Sequence, residues 1–332
     1  MTKAVQFRQD YGKIAVHQMV IAQTPKGLVE NGMVKSVDKL ASLLSQIRLN
    51  NKWKSNQVIF CLNPQAFYLT KARMPTMAKN ELKMALQLEA ENKFPLSPGE
   101  FVYSFCPLVP TSNRRVENDY ILVAAEKMAS LAFSKAAAVA GFATSAVDIE
   151  PFALMRKPFP VVNTGSKGDQ GCSLVLNIGF QSSTVLITDK MCFSYCRSIR
   201  FGIEHFINAH SASGSNDSSM ASKLLFSRDA LNFEPFQKAA NQMVAKLKQT
   251  LDYWHEQDSN QGQFPVSLHV CGGGALIPGL PSLIGSSLGI KPALYSPVLP
   301  PHAIENLSAK QQTGHKALLA TACGLALRGW LR

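Results

Sequence analysis

The sequence predicts an α/β fold built as two lobes, and three observations carry that expectation. Short runs that alternate apolar and polar residues are interspersed with longer stretches of helical period, so strands and helices take turns along the chain. At 332 residues and 46% apolar content, the chain exceeds what a single core usually holds. Finally, Leu268-His269-Val270-Cys271-Gly272-Gly273-Gly274-Ala275-Leu276-Ile277-Pro278-Gly279-Leu280 takes an apolar strand through three glycines into a helix start. Glycine has no Cβ and tolerates positive φ, so this junction lets backbone approach a flat ring or a phosphate closely, and a tight strand-to-helix turn accounts for the triplet about as well.

Taken in order, residues 3–18 and 19–35 read as hairpin strands around Asp10-Tyr11-Gly12, because Val5, Phe7, Ile14, Val16 and Met19 fall in short alternating runs. Residues 36–50 read as a helix with Val37, Leu40, Leu43, Leu44 and Ile47 at helical spacing, and a strand follows at 57–62. Residues 77–93 carry one apolar stripe, Leu82, Ala85, Leu86 and Ala90, and Phe94-Pro95 stops the helix. Phe101, Tyr103 and Phe105 alternate as a strand, and 120–125 reads as another beyond a turn at 111–118. A helix over 127–140 ends at Gly141, a good C-cap residue. Together these pieces make a small α+β unit able to present an exposed edge or groove.

Residues 158–170, rich in Pro, Gly, Ser and Lys, mark a boundary between lobes. A hairpin at 172–189 and a strand at 191–199 follow, and the serine-rich stretch 209–222 reads as a mobile loop. Residues 236–257 form a long helix with Met243, Leu247, Leu251 and Trp254 as core contacts. The region 292–314, with four prolines, loops back towards a closing helix.

The hairpin at 172–189 places Gly179 at its bend with Gln181, Ser182, Ser183 and Thr184 behind it. Such hairpins offer backbone N–H groups and hydroxyls to phosphate oxygens. Two glycine-bearing turns, here and at Gly272–Gly274, predict a two-sided cleft in which they face each other across the gap between lobes.

Net charge is +12 and the pI is near 9.4, which favours a polyanion or an anionic membrane surface. The basic residues come in small groups, Lys52/Lys54, Lys71/Arg73, Arg114/Arg115 and Arg197/Arg200, without the aromatic spacing of a single-strand platform. That pattern reads as a solvated face and predicts no nucleic-acid partner, whereas docking beside the inner leaflet suits the charge. Seven cysteines scattered among apolar neighbours argue for reduced thiols. Cys192-x3-Cys196 with His205 and His210 has a zinc-like pair spacing, but residues 191–196 alternate as a strand, with Cys192, Ser194 and Cys196 on one face as small packing residues. No metal is expected. The amino terminus lacks the apolar run of a secretory signal, and the run 317–327 is too short for a bilayer and stops at Arg328, so a soluble cytoplasmic protein is expected.

Several segments carry a family likeness. Val58-Ile59-Phe60-Cys61-Leu62-Asn63-Pro64-Gln65, Lys71-Ala72-Arg73-Met74-Pro75, the helix from Glu81-Leu82 through Leu88-Glu89-Ala90-Glu91 to Phe94-Pro95-Leu96, Val147-Asp148-Ile149-Glu150-Pro151-Phe152-Ala153-Leu154 and Gly324-Leu325-Ala326-Leu327-Arg328 occur in a specific order and spacing. Over nearly its whole length the chain resembles the PilM-type actin-like proteins of type IV pilus assembly, including the MshI branch of mannose-sensitive haemagglutinin (MSHA) pili.

That resemblance implies an actin-like (ribonuclease H-like) two-lobed α/β fold with an inserted small α+β subdomain. It divides the chain into a first lobe at 1–75 completed by 315–332, an insert at 76–156, a linker at 157–170, and a second lobe at 171–314 whose outer subdomain is 205–262. It implies ATP or ADP held by Asn177, Gly179, Gln181 and Ser182 and by the turn of Gly272, Gly273 and Gly274. Relatives carry an acid in the first strand and another in the second hairpin, where this chain has Gln6 and Asn177, and Phe7-Arg8 replaces the glycine and small residues. A carboxamide has no charge with which to hold a metal or its waters, so no metal and no hydrolysis are expected.

The implied role is a cytoplasmic adaptor of an MSHA-like pilus inner-membrane complex, peripheral to the membrane through its partner. It would bind the cytoplasmic tail of a PilN-type bitopic protein and link the motor and platform to the periplasmic alignment complex. A tail entering a groove uses main-chain hydrogen bonds and a few apolar pockets. Phe142, Val147 and Phe152 lie in the implied region, and core packing accounts for them equally. Two alternatives stand beside this reading: an active ATPase of the same fold, and the cytoplasmic part of a type II secretion platform protein, which continues into a membrane span where this chain ends at Arg332.

Overall fold

In the computed structural model, which describes residues 1–10, 13–25, 27–30, 33–53, 55–94, 97, 99–108, 116–156, 171–189, 192–212, 218–257, 263–295 and 309–328, the chain divides into two compact units. One comprises Met1–Thr2 and Val20–Phe152, the other Lys3–Met19 and Ala153–Arg332. Strands β1 (Thr2–Asp10) and β2 (Lys13–Ala22) pair as a hairpin, most of which belongs to the second unit. The stretch expected as one strand up to residue 35 holds instead two short antiparallel strands, β3 (Val29–Glu30) and β4 (Met33–Val34).

In the first unit, helix α1 (Val37–Asn50) starts where Ser36 Oγ accepts the Lys39 N–H at 3.3 Å, a side-chain N-cap. Its buried residues are those the spacing picked out: Leu40, Leu43, Leu44 and Ile47, with Ala41. Strand β5 (Gln57–Leu62) follows as expected, whereas β6 (Phe67–Pro75) was hidden inside a segment with little alternation. Helix α2 (Lys79–Lys93), strands β7 (Phe101–Pro107) and β8 (Glu117–Glu126), helix α3 (Lys127–Val139), strand β9 (Ala143–Ile149) and helix α4 (Glu150–Met155) complete the run.

The sheet β6-β8-β7 is antiparallel throughout. Leu86 and Ala90 of α2 pack on Ala72, Met74, Tyr120, Leu122 and Ala124, with Phe101, Tyr103 and Phe105 at the margin, so the period-two strands and the period-3.6 helix meet through the residues that defined them. Beside this layer, α1 and α3 share a core with Phe142, Val58 and Phe60, and β5 pairs with β9 in parallel. Gly141 lies just past the end of α3 at φ +77°, and Arg48 donates to the Ala140 carbonyl at 3.2 Å, supplying a donor to an otherwise orphaned helix-end carbonyl.

The second unit is organised on a five-stranded sheet of β10 (Cys172–Ile178), β11 (Ser183–Asp189), β12 (Cys192–Ile199), β13 (Pro265–Gly272) and β14 (Pro292–Leu294), in the order β12-β11-β10-β13-β14. β10, β11 and β12 are antiparallel neighbours, while β13 lies parallel to both β10 and β14. Helices α5 (Ile203–Ala212), α6 (Ser218–Leu225) and α7 (Glu234–His255) pack on it through Phe206, Leu225, Phe236, Met243, Leu247 and Trp254. Helix α8 (Leu280–Leu288) follows the glycine turn, and α9 (Ala309–Arg328) closes the described chain.

Three expectations change in this unit. The serine-rich stretch is helical on both flanks, as the end of α5 and the start of α6, because Phe206 and His210 face the core and anchor the turns around the serines. The alternation expected along β12 breaks at Ser194, where the register with β11 slips by one residue and Phe193 and Ser194 are both buried. Ser194 Oγ accepts the Trp254 indole N–H at 3.3 Å, so this serine serves a buried hydrogen bond rather than a run of small packing residues. Within the four-proline region, Pro292–Leu294 is a strand, and residues 296–308 lie outside the described set. The boundary segment at 158–170 lies there too, as do Tyr11, Gly12 and residues 111–115.

Candidate functional site

Every candidate residue lies at one end of the five-stranded sheet, in the second unit. β10 and β13 run parallel with Asn177 opposite Cys271 and Ile178 opposite Gly272, so the hairpin turn and the glycine turn leave the same sheet edge side by side. This corrects the expected two-sided cleft, since the turns do not face each other from different lobes. A parallel strand pair brings both carboxyl ends to one side of a sheet, which is where open α/β sheets present their loops.

The glycine turn is tightly filled by its own chain. Gly272 has φ +81°, and a Cβ there would overlap Asn177 Oδ1 and the Ile178 carbonyl. A Cβ on Gly273 would come within 2.8 Å of Ile203 Cδ1, and one on Gly274 would overlap the Ile178 side chain. Each glycine therefore answers to a specific neighbour, and the Asn177 carboxamide is turned onto the glycine backbone. Residues 273–276 make a single 3-10 turn before Gly279, at φ +82°, hands the chain to α8.

The hairpin turn is equally engaged. Gly179 N–H donates to Ser182 O at 3.0 Å, which closes the bend. Gly179 O and Phe180 O accept the first two amides of α5, from Ile203 at 3.1 Å and Glu204 at 2.9 Å. The amino end of that helix, normally four unpaired N–H groups and a natural anion site, is thus occupied by protein carbonyls. Gly202 N–H donates to His205 Nδ1 at 3.2 Å and Gly202 O accepts the His205 N–H at 3.1 Å, while the imidazole stacks on Phe201 with ring centroids 4.3 Å apart. A side chain on Gly202 would overlap Phe180 O. Ile203 and Glu204 therefore hold the hairpin in place, packed close by Gly202, whose own turn His205 ties. The sequence signalled them only weakly, through one glycine between a strand and a helix.

What the hairpin leaves outward is Phe180, 54% exposed, with Gln181 and Ser182 half-buried beside it. Ser183 is turned inward and donates to Phe201 O at 2.6 Å. On β1, Gln6 Oε1 is shielded from solvent without a hydrogen-bond partner. Gln6 and Asn177 bring neutral carboxamides, and hydrated magnesium is normally organised by carboxylate, so these two positions do not fit a metal. A phosphate or nucleotide has Gln181, Ser182 and the half-buried Gly273 as the accessible polar edge of the site.

The description "Type IV pilus assembly protein PilM" belongs to a family model that matches residues 1–330. The chain belongs to this PilM family. Among solved structures it is similar to a chain of the "PilM-PilN type IV pilus biogenesis complex", at 25% identity and a TM-score of 0.86, covering 98% of this chain and 95% of that one. It is also similar to the ethanolamine utilization protein EutJ from Carboxydothermus hydrogenoformans, at 13% identity and a TM-score of 0.53 over 98% of this chain and 90% of that one, a likeness of fold alone.

As a PilM family member the chain has the expected actin-like α/β fold, with the β6-β8-β7 sheet and α2 as its small α+β unit. Among the described residues no helix is long and apolar enough to cross a membrane. α9, which holds the apolar run near the carboxyl end, turns Ala317, Leu319, Ala320, Cys323 and Leu327 into the protein.

Proposed function

We propose that this PilM-family chain is a non-hydrolysing adaptor of a type IV pilus inner-membrane assembly complex that captures the cytoplasmic tail of a PilN-type bitopic protein. The observation that carries the reading is the likeness to a chain from a PilM–PilN complex, which extends over 98% of the sequence at a TM-score of 0.86. A match of that extent preserves the backbone framework on which a partner-binding surface is built. The protein then works beside the cytoplasmic leaflet through its partner, and the MSHA-type pilus, served by the MshI branch, is the system proposed.

ATP or ADP would rest against Gln181, Ser182 and Gly273, supported by Asn177, Gly179, Gly272 and Gly274, and would serve as a structural ligand. Hydrolysis of ATP needs a positioned water and a countercharge for the transferring phosphoryl group. Gln6 and Asn177 supply neither charge, which supports an adaptor over an ATPase. We propose a first lobe at 1–75 completed by 315–332, an inserted α+β subdomain at 76–156, a linker at 157–170, and a second lobe at 171–314 with 205–262 as its outer subdomain.

Fluorescently labelled amino-terminal peptides from candidate bitopic pilus proteins, titrated against the purified chain, test the proposal. Saturable binding of a PilN-type tail, abolished by scrambling its sequence, is the expected result. Failure of every such tail to bind a folded sample would overturn it.

A further inference from the structure

Helix α3 packs Phe133 and its alanines inward yet leaves three large aliphatics outside the core. Its fully buried residues are Ala129, Ala136 and Ala137, while Met128 is 63% exposed, Leu131 40% and Val139 69%. Lys127, Met128, Leu131, Lys135 and Val139 recur at three- and four-residue spacing and so share one face, the face turned away from the alanines. Phe133 and the alanines face the core, whereas the three large aliphatics Met128, Leu131 and Val139 stay exposed where burial alone would cover them.

The neighbouring helix extends this surface. Arg48 of α1 donates to the Ala140 carbonyl, which ties the carboxyl ends of α1 and α3 together, and next to it Leu49 is 74% exposed. Lys52 follows at the end of α1 with φ +50°. The charge is of one sign: no Asp or Glu occurs from residue 39 to 80 or from 127 to 147. The acids facing these helices sit at their amino ends, Asp38 in the first turn of α1, Glu126 at the N-cap of α3, and Glu100, whose carbonyl accepts the Lys127 N–H.

We propose that the outer face of α1 and α3 binds an anionic phospholipid surface directly. Exposed aliphatics on a basic, acid-free face have the composition of a surface that seats at the headgroup boundary, where apolar side chains enter the acyl margin and lysines meet lipid phosphates. A net charge of +12 draws the protein to that surface from a distance. An acidic protein segment would also meet the lysines, but the exposed aliphatics Met128, Leu131 and Val139 between them favour a lipid plane. This contact is separate from the PilN reading, and it would hold the chain at the leaflet before or beside any partner tail.

Cosedimentation of the purified chain with vesicles, without partner or nucleotide, tests it. The wild-type protein should sediment with vesicles of equal parts phosphatidylcholine and phosphatidylglycerol, release in high salt, and ignore pure phosphatidylcholine. Lys127→Glu with Lys135→Glu should weaken partitioning by more than about tenfold, since each cation near an anionic surface contributes about fivefold. Met128→Asn with Leu131→Asn should weaken it too, with the thermal melt of both variants unchanged. Absence of binding to the anionic vesicles, binding that both double variants retain, or loss of a pilus protein's binding in these variants with vesicle binding intact would each overturn the proposal.

Discussion

Ile178 and Gly274 stand so close that a Cβ on the glycine would overlap the isoleucine side chain. The strand that carries the hairpin turn and the turn that follows β13 are locked to each other by that contact and by Gly272 beneath the Asn177 carboxamide. Gly274→Ala forces one of them to move. Overpacking a filled site costs about 1–3 kcal/mol, so urea denaturation should show a loss in that range. If the glycine served only to admit a ligand, the midpoint would be unchanged.

A second close approach tests how α9 is seated. A Cβ on Gly324 would overlap the Ala153 carbonyl, which is backbone and cannot swing aside. Gly324→Ala should therefore be among the most damaging single-atom additions in the chain, above about 3 kcal/mol or without soluble product. Gly289→Ala is the control, because nothing stands within 4 Å there and only φ +68° opposes it, at about 1 kcal/mol. Thermal melts of the two variants compare packing with conformational strain directly.

Burial also sets an alkaline limit. The Cys323 thiol is pushed up to about 12 by desolvation, and the Tyr295 phenol is raised by burial first and then by the nearby Cys271 and Cys323 thiols. Both groups are neutral acids held neutral by the fold, with Tyr295 OH donating to the Leu154 carbonyl. A folded pKa above the unfolded one means stability that is complete below the unfolded value and lost as pH rises towards the folded value. Unfolding monitored by circular dichroism should therefore set in between about pH 9 and pH 12. The Tyr295→Phe variant should keep the onset set by Cys323 while losing a buried hydrogen bond.

The same burial predicts thiol chemistry. Cys271 and Cys323 are buried, whereas Cys192 and Cys196 are half-exposed on β12, an edge strand of the sheet. Thiolate, not thiol, reacts with alkylating reagents. Brief iodoacetamide treatment at neutral pH, read by peptide mass spectrometry, should label Cys192 or Cys196 and spare Cys271 and Cys323 until denaturant is added.

Much of this was legible in the residues. The helices α1, α2 and α7 were read from stripes such as Leu40, Leu43, Leu44 and Ile47, because a helix that buries one face repeats its apolar residues at a period no strand shares, and α3 from its C-cap glycine, Gly141. β6 was missed because Phe67 and Leu69 share a side of the strand with Lys71 and Arg73, so the alternation reverses within Phe67–Pro75 and no single apolar face stands out. The serines at 209–222 suggested a loop because composition does not record that Phe206 and His210 anchor the helix from within. Both glycine turns were found, but not what they face. A glycine announces that something comes near its backbone, and only the parallel register of β10 with β13 reveals that Ile178, Ile203 and Asn177 are among those neighbours. The seating of Ile203 and Glu204 was hard to read because it depends on the Gly179 and Phe180 carbonyls reaching across from the hairpin.

The claim at the centre of this account is partner capture without nucleotide turnover. Calorimetric titration of a PilN-type tail into the full chain, once with magnesium and ATP and once with EDTA and no nucleotide, measures it in a single comparison. Saturable binding of similar affinity is expected in both buffers, with no phosphate released in the first. Binding that requires magnesium and ATP, accompanied by steady phosphate release, would contradict it.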